Sequence, residues 1–300
     1  MAPATIELVM WKGSQFSHKA VAALKVKGLV PGRDYKVTAG PDVRNYKEMV
    51  RLLPPPYTIP VLKWDHDVIS GSDHICAWLD AKIPEPPLYP ADVTSLGVSD
   101  VEQRCASMYW QNGFLSMFDP AGFDRFAGES VRQYTRKQYA IARPILALAP
   151  RTAWKIIHSV VRKDFVATMR RRKAPLAEER SIDVVYEQAR AELASLDALL
   201  EASATAYFGG ARSPTAADLT LYAMLERWVG DSMQPGVHGP AQPAILDGLS
   251  ATRRMFDEVK AAYAVNLTTD VGAYEELSAP LGDATWPAPA EVPVDVKAAT

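Results

Sequence analysis

The 300-residue chain is short of cysteine. It has only two, Cys76 and Cys105, both on apolar helical faces by pattern. No disulfide framework or Cys/His zinc spacing can be built from them, so no metal site is expected and a reducing compartment suits the chain. Charge of one sign is also lacking: the formal net charge is −2. Nothing in that balance calls for nucleic acid as a partner. The first residues, Met1-Ala2-Pro3-Ala4-Thr5, carry no basic segment followed by an apolar run, so no signal peptide is expected. Long hydrophobic runs are missing as well. The most apolar stretch, 141–161, is interrupted by Arg143, Pro144, Pro150, Arg151, Lys155 and His158, which excludes a membrane span. A cytoplasmic location is the expectation. What is present is ordinary globular material, 48% hydrophobic and 23% charged, enough for two domains with proper cores.

The most informative stretch is Tyr57-Thr58-Ile59-Pro60-Val61-Leu62-Lys63, followed by Asp67-Val68-Ile69-Ser70-Gly71-Ser72. Ile59 to Leu62 reads as a buried strand with a proline at its start, where proline is tolerated. Val68-Ile69 reads as a second short strand. Ser72 then reads as the N-cap of a helix with Ile75, Trp78 and Leu79 on its apolar stripe. Were the Ile59–Pro60 bond cis, the backbone of Ile59 would turn outward and could pair with a peptide ligand as an added strand. The helix N-terminus beginning at Ser72 could take a carboxylate. Taken alone, these residues favour the plainer reading, an ordinary hairpin and an ordinarily capped helix.

Around that stretch the chain reads as strand Ile6–Trp11, a helix from Ser17 to near Lys27, strand Tyr35–Thr38 and helix Asp42–Leu53. Three prolines, Pro54 to Pro56, stop that last helix. The order is β-α-β-α-β-β-α within about 85 residues. A proline-rich linker follows at 84–98, then helical patterns at 100–118, 182–200, 215–230 and 243–263. Thr215-Ala216-Ala217-Asp218 is a capping box, in which Thr215 caps the helix and Asp218 reaches back to the Thr215 N–H.

Ile-Pro-Val-Leu, the hairpin, Ser72 and Ile75, together with the element order and the capping box, resemble the cytosolic glutathione transferases. The resemblance implies an α/β thioredoxin-like N-terminal domain (1–83), a linker (84–98) and an all-α C-terminal domain (99–265) with a basic insertion at 131–175. Residues 266–300 are left as an acidic tail. Ser14-Gln15-Phe16-Ser17-His18-Lys19 is similar to the Ser-Pro-Phe-Ser-x-Arg/Lys motif of the serine-type members, with Gln15 in place of proline. By that match Ser14 is the thiol-activating residue and Ser17 the second candidate. Read without the resemblance, Ser14 is a turn residue and Ser17 a helix N-cap. Glutathione is the implied co-substrate. Ile59 and Pro60 would meet its backbone, Ser72 and Gly71 its γ-glutamyl end, and Lys47 or Lys36 its glycyl carboxylate. The family usually has Glu-Ser where this chain has Gly71-Ser72. Trp11, Met108, Tyr109, Asn112 and Phe114 are the candidates for the acceptor pocket, which would take a small apolar electrophile. The resemblance also implies a homodimer and a role in detoxification. Conjugation, β-aryl-ether cleavage as in a β-etherase branch, and ligand binding without catalysis all stay open.

Segment 131–175 carries twelve Lys and Arg against Asp164 alone, a net of +11. The stretch from Thr268 has six acids against Lys297. Either these two parts face each other or are solvated, or the aromatic residues beside the basic ones form an extra helical pair that lines the pocket or rests on anionic lipid. Membrane contact is the less favoured of these.

Overall fold

In the computed structural model the described residues are 5–11, 14–41, 46–55, 57–90, 98–108, 182–229, 243–264 and 275–285. The chain divides into two compact units, Met1–Glu85 with Thr268–Thr300, and Pro86–Leu267.

The first unit is built from β1 (Ile6–Met10), α1 (Gln15–Val26), β2 (Lys36–Ala39), α2 (Tyr46–Leu52), β3 (Val61–Trp64), β4 (Asp67–Ser70) and α3 (Ser72–Lys82). A further strand, β5 (Glu275–Glu276), comes from the far end of the chain. The sheet order is β4-β3-β1-β2-β5. β1 runs parallel to β2 and antiparallel to β3, with Leu8 opposite Val37 on one side and Leu62 on the other. The centre of the sheet is therefore its most apolar part: Leu8, Val9, Met10, Val61, Leu62 and Ile69 are closed to solvent. This is the β-α-β-α-β-β-α order read from the sequence.

α1 is buried almost all round, with Ala20, Val21, Ala22, Ala23 and Leu24 fully enclosed. Two lysines share its buried surface, and each is matched by an aspartate on α3. Lys19 Nζ lies 2.6 Å from Asp73 Oδ1, and Lys27 Nζ lies 2.7 Å from Asp80 Oδ1. Buried ammonium groups require such partners.

Within the C-terminal segment, residues 275–285 are held against the sheet. β5 pairs in parallel with β2, the Leu277 N–H donates to the Ala39 carbonyl, and the Leu281 N–H donates to that of Leu52. Glu275 meets Lys36 of β2. Segment 131–175 lies outside the described residues, so its expected pairing with the acids does too.

The second unit contains α4 (Val98–Met108), α5 (Ile182–Glu201), α6 (Ala216–Val229) and α7 (Ser250–Tyr263), with short 3-10 turns at Phe208–Gly210 and Pro243–Leu246. Its described elements are all helical. The capping box forms as read: Thr215 N donates to Asp218 Oδ2 at 2.8 Å, and Asp218 N to Thr215 Oγ1 at 3.4 Å. Asp218 also accepts the Phe208 N–H at 3.1 Å, which ties the preceding 3-10 turn to the helix. Asp197 on α5 accepts the Thr252 N–H at 2.6 Å and so caps α7, whose own N-cap residue, Leu249, has no side chain to do so. Among the described residues, no helix is long and apolar enough to cross a membrane.

Candidate functional site

The chain leaves β1 at Met10 and enters α1 after a short turn. Ser14, not Ser17, is the N-cap of α1: its φ of −98° and ψ of 117° are extended, and its Oγ accepts the Ser17 N–H at 3.4 Å. Ser17 stands one turn inside the helix. Its Oγ accepts the Trp11 N–H at 3.3 Å, which stitches the end of β1 to α1. The two hydroxyls differ in access, since Ser17 is fully enclosed while Ser14 keeps 7% exposure. Neither hydroxyl proton is committed among the described residues. A hydroxyl that accepts a backbone N–H still has its own proton to give.

The Ile59–Pro60 bond is cis. Among the described residues the N–H and C=O of Ile59 have no hydrogen-bond partner, whereas the next carbonyl, of Pro60, already accepts the Gly71 N–H at 2.9 Å. β3 begins only at Val61, so Ile59 and Pro60 precede the strand rather than open it. Side chains hold this loop from both sides. Ser70 Oγ donates to the Thr58 carbonyl at 3.4 Å, and the Ile59 side chain is buried in a cluster with Val9, Met49, Leu53, Val61, Val68 and Leu281.

α3 starts differently from the expectation. Its N-cap is Gly71, at φ 95° and ψ 139°, and Ser72 is its first helical residue. Serine outranks glycine as a cap in general, but a residue with a Cβ resists this backbone, and glycine does not. Ser72 Oγ donates to Asp73 Oδ1 at 3.3 Å. Asp73 thus receives both the Ser72 hydroxyl and the Lys19 ammonium. The charge of Lys19 above all, together with these bonds, holds its carboxyl below the usual 3.8 despite partial desolvation. Because Lys19 lies on α1 and Asp73 on α3, the pair locks the N-terminal ends of the two helices together. This lock was not read from the sequence. Its only local sign was a lysine on an otherwise apolar helix face.

Other expected residues fall elsewhere. Trp11 is half-buried against the Ile59 cluster. Lys36 is exposed and engaged with Glu275. Lys47 lies on α2 and Met108 ends α4, but their side chains, like Tyr109, Asn112 and Phe114, lie outside the described residues. No group of His, Cys, Asp or Glu among the described residues could hold a metal. Cys76 and Cys105 are buried and stand outside any disulfide.

Residues 8–87 match the family described as the glutathione S-transferase N-terminal domain. A solved glutathione transferase from Phanerochaete chrysosporium aligns at a TM-score of 0.53 and 15% identity, over 87% of this chain and 98% of that one. The fold is that of the glutathione transferases. A glutathione S-transferase from Actinobacillus pleuropneumoniae aligns at a TM-score of 0.50 and 15% identity, over 90% and 94% of the two chains. No curated protein matches the chain. Among the described residues of this fold, the turn before α1 leaves the Ser14 hydroxyl proton uncommitted and the loop before β3 leaves the Ile59 N–H and C=O without a partner.

Proposed function

We propose that the protein is a glutathione-dependent transferase of the serine type, in which Ser14 holds the thiolate. The observation that carries this is the division of labour between the two serines. Each oxygen accepts one backbone N–H and keeps its own proton, but Ser17 is fully enclosed where it stitches α1 to Trp11, while Ser14 caps the helix and keeps some exposure. A free thiol near pKa ~8.5 is only a few per cent ionised at pH 7. One fixed O–H donor, with the positive end of α1 behind it, favours the charged form. A shift of about two pKa units corresponds to ~2.7 kcal/mol of differential interaction.

The tripeptide would lie along Ile59, exchanging hydrogen bonds with its free N–H and C=O as an added strand. Its γ-glutamyl carboxylate would meet the first N–H groups of α3, and the Ser72 hydroxyl would turn from Asp73 to donate to it. In the chemical step the thiolate attacks an electrophilic carbon. A C–S bond forms, the bond to the leaving group breaks, and the leaving group departs with the electron pair. An activated aryl halide would lose halide after thiolate addition at its sp2 carbon, whereas a β-aryl ether would lose phenolate by displacement at its sp3 carbon. A cytoplasmic homodimer acting on small apolar electrophiles completes the proposal.

A second reading has two replacements in its favour, Gln15 where the serine-type motif has proline and Gly71 at the start of α3. Gly71 stands where the family usually has glutamate, so the γ-glutamyl end loses a side chain, and the protein would be a binder of glutathione or its conjugates without turnover. The deciding measurement is conjugation of a chlorodinitrobenzene-type electrophile, together with capture on immobilised glutathione, for the native chain and for Ser14→Ala. Turnover in the native chain that is lost in the variant is the expected result. Turnover indifferent to the substitution overturns the role of Ser14, and capture without turnover in the native chain establishes the binder.

A further inference from the structure

We propose that segment 275–285 is a strap that positions Ile59 for ligand, with Leu281 as its positioning residue. The proposal rests on the reading that Ile59 pairs with the glutathione backbone. The segment occupies both outer edges of the four-stranded sheet. At one edge β5 pairs with β2 through Thr38 and Ala39. At the other, the Thr285 N–H donates to the Val68 carbonyl at 3.0 Å, and the Val68 N–H donates to Thr285 Oγ1 at 2.6 Å. Between these anchors the Leu281 N–H donates to the Leu52 carbonyl, at the last residue of α2.

The side chain of Leu281 enters the buried cluster that holds Ile59, and Leu277 packs against that cluster from the same segment. Ile59 is therefore seated by residues from four places in the chain: β1 (Val9), α2 and the residue after it (Met49 and Leu53), the hairpin (Val61 and Val68) and the strap (Leu281). Only the strap is remote in sequence, more than two hundred residues from the loop it supports. Interiors are close-packed, so removing one member of such a cluster lets its neighbours shift rather than leaving them in place. Ile59 is the member whose backbone stays unpaired among the described residues, so no ladder hydrogen bond resists its shift.

The test uses the full chain labelled at isoleucine methyl groups, with calorimetry for glutathione and steady-state rates for conjugation. Leu281→Ala is expected to raise Kd and KM for glutathione about tenfold, the size of one misaligned hydrogen bond, while kcat stays within about twofold. The Ile59 methyl resonance moves in the same variant. Leu281→Met, which restores volume, returns Kd to within about twofold of native. Leu24→Ala, which opens a cavity in α1 away from the cluster, leaves Kd unchanged. A folded Leu281→Ala with native Kd and an unmoved Ile59 resonance overturns the proposal. So does an equal rise in Kd for Leu24→Ala, since that would be general loosening. Should Leu281→Ala fail to fold, Leu277→Ala, at a half-buried position, decides by the same criteria. A native chain that binds no glutathione overturns the proposed function and this inference with it. A native chain that binds, beside strap variants that bind equally, overturns this inference alone.

Discussion

Lys19 Nζ, closed to solvent at 1% exposure, lies 2.6 Å from Asp73 Oδ1, whose side chain is 63% exposed. The relationship is asymmetric: α3 sends a carboxylate from water to neutralise a charge that α1 has buried. Replacing Asp73 with Asn keeps the shape and removes the charge. The expected loss is about 1–2 kcal/mol, less than the 3–5 of a pair enclosed at both ends, because solvent screens Asp73. Since Lys19 lowers the folded-state pKa of Asp73 below 3.8, the stabilisation is fully present above the unfolded pKa and is lost as pH falls through the lower folded value. Urea midpoints of the native chain should therefore drop below about pH 4, and part of that drop should vanish in Asp73→Asn. Equal pH slopes for the two proteins would remove the pair as the cause.

Asp218 is expected to matter more than an ordinary cap. Its carboxyl takes the Thr215 N–H, the Thr215 hydroxyl and the Phe208 N–H, all buried. Asp218→Ala leaves those donors unsatisfied in the second unit, at a cost of about 2–4 kcal/mol, against about 1 for a typical exposed cap. Thermal unfolding followed by circular dichroism measures it. A loss under about 1 kcal/mol would mean that water replaces the carboxylate.

Gly71 tests what the start of α3 requires. With φ at 95° and ψ at 139°, Gly71→Ala forces a Cβ into a conformation L residues rarely adopt, although the nearest atom, His74 Nδ1, is no closer than 3.5 Å to it. Strain rather than collision is therefore the cost, about 1–3 kcal/mol. A stability change below about 0.5 kcal/mol in chemical denaturation would show that the helix start relaxes to another cap, Ser72 being the nearest.

The sequence reading succeeds where a signal is local and fails where it is not. Strand β1, helix α1 and the hairpin β3–β4 follow from apolar periodicity within a dozen residues. The capping box is legible because both halves sit three residues apart. The choice between Ser14 and Ser17 as the cap was not legible, because both are good capping residues. It is settled by the Trp11 N–H, which needs the Ser17 hydroxyl and leaves Ser14 to cap. The preference for Ser72 over Gly71 followed cap ranking, and backbone geometry overrode it. Strand β5 is two glutamates, poor strand formers, it pairs with Thr38 and Ala39, and the Lys36 that Glu275 meets lies 239 residues away. No windowed pattern carries such a pairing. The Lys19–Asp73 lock, spanning 54 residues, was hidden for the same reason.

Ser14→Ala should leave a pH signature that a structural defect would not. If the Ser14 hydroxyl lowers the thiol pKa by about two units, the native kcat/KM rises with pH to a plateau reached near pH 7. In the variant the inflection moves up toward ~8.5, the free-thiol value. The two rates should then differ by roughly 100-fold at pH 6 and converge above pH 9. A variant slower by the same factor at every pH would assign Ser14 to orientation rather than ionisation.

Gly40 offers a way to move Ile59 through its buried side chain. It follows β2, its N–H donates to the Met10 carbonyl at 2.8 Å, and its own conformation does not require glycine. A Cβ placed there would stand 3.1 Å from Ile59 Cγ2 and 3.4 Å from Val9 Cγ1. The first distance is too short for unperturbed packing, and Ile59 is β-branched and so cannot turn away cheaply. Gly40→Ala should therefore displace Ile59 by a few tenths of an ångström. In stability the overpacking is offset by the loss of glycine's unfolded-state entropy, worth about 0.4–1 kcal/mol, so the urea midpoint barely changes. In glutathione binding nothing offsets the shift, and calorimetry should show Kd raised severalfold. An unchanged Kd beside an unchanged midpoint would mean that the seat of Ile59 tolerates the methyl group. Recognition of the tripeptide would then rest on the start of α3 and on Ser14 instead.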